Sequence, residues 1–183
     1  NKGASVVHNL RNYLGDVTFR LGGQEVLATH YGGAMDDVML EAAWEAATGV
    51  DLTPWFDAHI RQPGFSTWVL DSTSTVESVE AGGFLTTLHL QQKLRACENH
   101  HENEPLDVTV WDAQGNREVS QIVVGGQYAT AEVATALEPG MVALNAEGRL
   151  NQGRMDLDYW ISSTSSLQNL PWVDTVSYTH LRA

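Results

Sequence analysis

The stretch Arg61-Gln62-Pro63-Gly64-Phe65-Ser66-Thr67-Trp68-Val69-Leu70 separates two periodicities. Before it, apolar residues recur at helical spacing. After it, they fall in short runs rich in β-branched and aromatic residues. Gln62-Pro63-Gly64 is the break, because proline cannot donate to a helix ladder and glycine ends one. The boundary is therefore drawn at Gly64, with a helical part over 1–63 and a β-sandwich over 64–157. The expected class is α+β.

Upstream of the break, Val6, Val7, Leu10 and Leu14 form one apolar face, and Gly15 is a stop. Asp16 is placed to cap a second helix carrying Phe19, Val26, Leu27 and Tyr31. Gly22 and Gly23 weaken that helix, and Gly32-Gly33 ends it. A third follows Asp36-Asp37, with Met39, Leu40, Ala43, Trp44 and Ala47 inward and Gly49 as its stop. The two aspartates suit the positive end of the helix dipole, and their adjacency makes them a cap rather than an acid/base pair. Asp51 or Thr53 caps a short fourth helix with Pro54 in its first turn, where Trp55, Phe56, His59 and Ile60 pair inward.

Downstream, seven short strands are expected: 67–70, 75–79, 84–94, 108–111, 118–124, 128–133 and 141–144. Asp112-Ala113-Gln114-Gly115-Asn116 is a hairpin signal, Gly125-Gly126 turns the chain again, and Pro139-Gly140 precedes the last strand. This spacing points to an antiparallel β-sandwich. Trp44, Trp55, Trp68 and Trp111 read as core. The polar patch Ser162–Ser166 reads as a loop or strand edge.

The chain has 183 residues, 43% of them apolar and 18% charged, enough for a real core. Its 23 acids against 10 lysines and arginines leave a net charge of -13, which argues against nucleic acid and polybasic membrane contacts. Four bases stand against eight acids over 1–62, and five against fifteen over 63–175. The acids are spread out, as on a solvated surface. No stretch is long and apolar enough to span a bilayer as a helix. The single cysteine, Cys97, excludes an internal disulfide and a cysteine-built zinc site.

Motifs with chemistry are scarce. There is no G-x-S-x-G elbow, no phosphate-binding P-loop and no dinucleotide glycine fingerprint. The densest group of ligand-type side chains is Cys97-Glu98-Asn99-His100-His101-Glu102. His101-Glu102 begins a zinc motif whose second imidazole would fall at position 105, where Pro105 stands and also breaks the helix the motif needs. The group is read as a polar loop, with adventitious metal binding as the alternative, and no metal ligand or catalytic residue is assigned. His8, His30, His59 and His89 stand singly and read as packing or surface residues.

Taken in order, several features resemble one family. Lys2-Gly3-Ala4-Ser5-Val6-Val7 with Leu10 comes first, then Leu14-Gly15-Asp16 with Phe19. Asp37, Thr48-Gly49-Val50-Asp51-Leu52, Trp55-Phe56 and Gln62-Pro63-Gly64-Phe65 follow. Together they resemble the downstream part of the thermolysin-like catalytic domain of M1-type (gluzincin) zinc aminopeptidases, and the β-sandwich after it. Gln92-Lys93-Leu94-Arg95, Pro105-Leu106-Asp107-Val108 and Val142-Ala143-Leu144-Asn145 resemble the sandwich of bacterial, often exported, members. The likeness covers about residues 2–157.

The resemblance implies a parent that removes N-terminal residues from peptides with a zinc-activated water. None of the family's machinery maps here: H-E-x-x-H and G-x-M-E-N are absent. Its oxyanion tyrosine, in Y-x-K-G, would fall one residue before Asn1, while Lys2 and Gly3 match that motif. The chain is thus expected to be an inactive scaffold piece that binds no zinc itself. Its partner would be the remainder of its own catalytic domain, and the peptide substrate would belong to the parent. The alternatives are a non-catalytic relative of the same scaffold and a β-sandwich interaction module. Residues 158–175 read as the start of a further segment. Val176–Ala183 reads as a translated sequencing-adapter scar.

Overall fold

The computed structural model describes residues 2–80 and 82–146. The readings placed on 158–175, 162–166 and 176–183, and the 147–157 end of the expected sandwich, lie outside the described residues.

Four helices come first. Gly15 separates α1 (Lys2–Leu14) from α2 (Asp16–His30). Asp16 was expected at the cap, but it opens the first turn of α2 and pairs with Arg11 Nε at 2.7 Å. In α3 (Asp37–Thr48), Asp36 Oδ1 accepts the Met39 N–H at 2.8 Å, and Gly49 ends the helix at a left-handed φ of 70°. The short α4 (Thr53–Phe56) widens into a π turn, Asp57–Arg61.

These helices share a core of Val6, Leu10, Trp44, Leu52, Trp55 and Phe56, flanked by half-buried Phe19, Val26 and Leu40. Gly22 does not interrupt α2. A Cβ there would sit 2.9 Å from the Trp44 ring, so the missing side chain is what lets α2 and α3 close. Val7, Leu27, Tyr31, Met39 and Ile60 were expected inward and are instead exposed. The buried stripe is narrower than the apolar pattern because these helices are covered on one side only. On α1 the inward place goes partly to Asn9, whose Oδ1 accepts the Trp55 indole N–H at 2.8 Å.

The described β residues form two antiparallel three-stranded sheets. One has the order β1 (Phe65–Ser78), β2 (Gly83–Arg95), β5 (Tyr128–Thr135). The other has the order β4 (Arg117–Val124), β3 (Glu104–Trp111), β6 (Met141–Leu144). Six strands replace the expected seven, because 67–70 and 75–79 are one strand. The polar run at 71–74 is carried through by a register shift between Leu70 and Ser72, which keeps pairing with β2. The loop after β2 is also shorter than expected, since Pro105 lies inside β3.

Side chains alternate along each strand. The inner-face series are Trp68 and Leu70; Leu88 and Leu90; and Leu106, Val108 and Val110, closed by Val133 and Leu144. Extending each series by one step toward the helices gives Ser66, Gln92 and Glu104, all buried. The sandwich core thus becomes polar at the end that meets the π turn. Trp111, expected in the core, is half-buried at the far end of β3.

Candidate functional site

That polar end is built from three directions. The π turn projects His59 inward beside Trp55, with ring centroids 4.9 Å apart. The loop from β2 to β3 brings His101 to the same place, its ring 4.7 Å from that of His59. The first residue of β3 supplies Glu104. His59 Nε2 lies 3.0 Å and His101 Nδ1 2.9 Å from the same carboxylate oxygen, Oε1. The other oxygen, Oε2, accepts the Trp68 indole N–H at 2.9 Å. The three side chains are between 1% and 4% exposed.

Backbone contacts fix the loop. Gln92 holds His101 on both sides: its Oε1 accepts the His101 N–H at 2.7 Å, and its amide donates to the His101 carbonyl at 3.1 Å. Gln62 Oε1 accepts the N–H groups of Glu98 and Asn99 at 3.3 and 3.2 Å. The Cys97 thiol donates to the Phe65 carbonyl at 3.2 Å. These join the loop to β2, to the segment linking helices and sheets, and to the start of β1.

Electrostatics follow from this geometry. Burial alone would push the Glu104 carboxyl up. The hydrogen bonds from His101 and His59, with their charge interaction, outweigh it together and hold the group at about 2. Glu104 is therefore an ionised carboxylate inside the protein. On the other side of the π turn, Arg61 pairs with Glu41, with Asp57 at 2.9 Å and with Asp37 at 3.2 Å. The hydrogen bond to Glu41, then that to Asp57, raise its pKa further above the usual guanidinium value. One turn thus points a histidine into the sandwich and an arginine back to α3.

The group Cys97–Glu102 is a loop, but it is divided. His101 enters the buried cluster and Cys97 is buried elsewhere, while Glu98, Asn99 and Glu102 are exposed. His8 and His89 are exposed, and His30 is half-buried on α2. His59 was read as packing; it does pack on Trp55, but its imidazole faces a carboxylate. Glu104 was missed altogether. Two signals could have found it: its spacing of three from His101, and its parity with Leu106 and Val108 on the core face of β3.

Two imidazoles and a carboxylate form the described group whose donor atoms converge, all within 4.8 Å of one another. The donor types suit a divalent transition metal. A catalytic zinc, however, keeps a coordination position open to water or substrate. This cluster is shut in by Trp55, Trp68 and the 96–103 loop, so it does not fit a hydrolytic centre.

No family model matches the chain, and no curated protein matches it. Among solved structures it is similar to the aminopeptidase A of Legionella pneumophila, crystallised in complex with aspartic acid. The TM-score is 0.65 over 92% of this chain at 11% identity. The chain spans 19% of that protein's length. At this identity the likeness is one of fold, and the fold it supports is that of part of an aminopeptidase. Among the described residues, no helix is long and apolar enough to cross a membrane.

Proposed function

We propose that this chain is the supporting part of an M1-type zinc aminopeptidase: the helical end of a thermolysin-like catalytic domain, 1–63, and the following sandwich, 64–157. The observation that carries the reading is the aminopeptidase likeness over 92% of the chain, running through both helices and sheets. The ordered motifs from Lys2-Gly3 to Gln62-Pro63-Gly64-Phe65 supply the family. The parent's substrate is a peptide with a free N-terminus, and the resemblance of the sandwich to bacterial members favours export.

In this reading the chain does no chemistry. Its helices buttress the catalytic cleft, and the sandwich braces them. The catalytic zinc, its water and the amine-binding acids belong to the missing part, so no step is assigned to residues of this chain. The exposed apolar side of α1–α3, with Val7, Val17, Leu21 and Leu27, is the surface the rest of the catalytic domain covers.

Sequencing the source DNA upstream of the Asn1 codon tests this. A tyrosine codon immediately before Asn1, with H-E-x-x-H and a later glutamate further up, is the expected result. The same scaffold with the ligands replaced would make the function binding and remove the peptidase activity. An unrelated upstream sequence would overturn the reading. The purified chain is expected to release nothing from aminoacyl substrates; chelator-sensitive release would contradict its supporting role.

A further inference from the structure

We infer that His59, His101 and Glu104 form a closed structural metal site for a zinc-class divalent ion, stapling the π turn of the helical part to the sandwich. The inference is independent of the peptidase reading, because the site is distinct in residues and in kind from a hydrolytic centre.

Four observations converge on it. The donor set is two imidazole nitrogens and one carboxylate oxygen, which suits zinc and disfavours magnesium or calcium. The donors come from three separate segments, so an ion here ties the chain's two cores together. The Glu104–His59 and Glu104–His101 spacings of 3.0 and 2.9 Å lie a few tenths below the edge of about 3.3 Å that a tetrahedral zinc imposes. The surroundings are arranged as an outer shell should be. Trp68 fixes the second carboxylate oxygen, and Gln92 fixes the His101 backbone. The Ser66 hydroxyl lies 3.3 Å from His101 Nδ1 at the edge of the cluster.

Each imidazole presents a lone pair to the ion by carrying its proton on the other ring nitrogen. For His101 that nitrogen is Nε2, buried without a hydrogen-bond partner among the described side chains.

The test uses the full chain stripped with chelator and titrated with zinc chloride, read by calorimetry and by thermal melting. One equivalent bound and a melting point raised by several degrees are expected, with excess magnesium failing to compete. His59→Gln should weaken binding at least tenfold, whereas His100→Gln, outside the cluster, should leave it unchanged. No binding, or binding indifferent to His59→Gln, would overturn the proposal and leave a purely hydrogen-bonded triad. If His59→Gln fails to fold, X-ray absorption of the zinc-loaded wild type decides. Two imidazoles with oxygen and no sulfur support the site; sulfur or all-oxygen ligation overturns it.

Discussion

Leu88, Leu106 and Val108 are fully buried between the two sheets, whereas on the helices Val17 is 75%, Leu27 66% and Tyr31 89% exposed. Both regions bury a core, but among the described residues the exposed large apolar side chains outnumber the buried ones on the helices and not in the sandwich. Each sheet covers the other, so a sandwich can close within one stretch of chain. Helices of 13, 15 and 12 residues bury one stripe against each other and need a further surface for the rest. The sandwich buries most of its apolar side chains between its own sheets, and the helical part leaves one side of its apolar pattern exposed.

The largest test of this contrast is Trp68→Ala. It empties the sandwich core and strips Glu104 of a donor, and should cost ~3–5 kcal/mol, read as a lower urea midpoint. A loss as small as that of exposed Val119→Ala would break the picture of a self-enclosed core. Next come the paired glycines of α2. Gly22→Ala should lower stability by ~1 kcal/mol, because the clash with Trp44 outruns the gain in helix propensity. Gly23→Ala, with open space around its Cβ, should raise stability by ~0.5–1 kcal/mol. Equal signs at the two positions in thermal melts would show that α2 and α3 are not closely packed.

A smaller energetic effect is expected on the exposed helix side. Val17→Ser combined with Leu27→Ser should change stability by less than ~0.5 kcal/mol. It should nonetheless reduce self-association in sedimentation runs, since these side chains are exposed apolar surface. Unchanged association would place the sticky surface elsewhere. The smallest effect concerns the hairpin after β3. Asp112 accepts from the Asn116 side chain, which holds its carboxyl below its ordinary value of 3.8 against the opposing push of burial. The group is depressed in the folded state, so its contribution is present above about pH 4 and is lost on acidification below that. Asp112→Asn should flatten the acid limb of the stability profile at that hairpin, measured by hydrogen exchange at Gln114 and Asn116.

Much of this contrast was legible before any tertiary structure. The period change at Gln62-Pro63-Gly64, the Asp36 cap, the stop at Gly49 and the Asp112–Asn116 turn are local, and local residue chemistry specifies them. The merged first strand was not legible. A polar run looks like a break until its cross-strand partners on β2 are known. Which apolar residues stay exposed was hidden for a similar reason, because a helical period gives the direction of a face but not what covers it.

The sequence by itself determined helices before strands, the hinge at 62–64, and the identities of the side chains near position 101. Only the tertiary structure decided that His59 meets Glu104, 45 positions later in the chain, at the polar end of the sandwich core. The physical reason is that burial is a property of the packed whole. A histidine on a helix and a glutamate opening a strand carry no mark of each other until two cores pack end to end. The desolvated carboxylate must then find its donors there or not be buried at all.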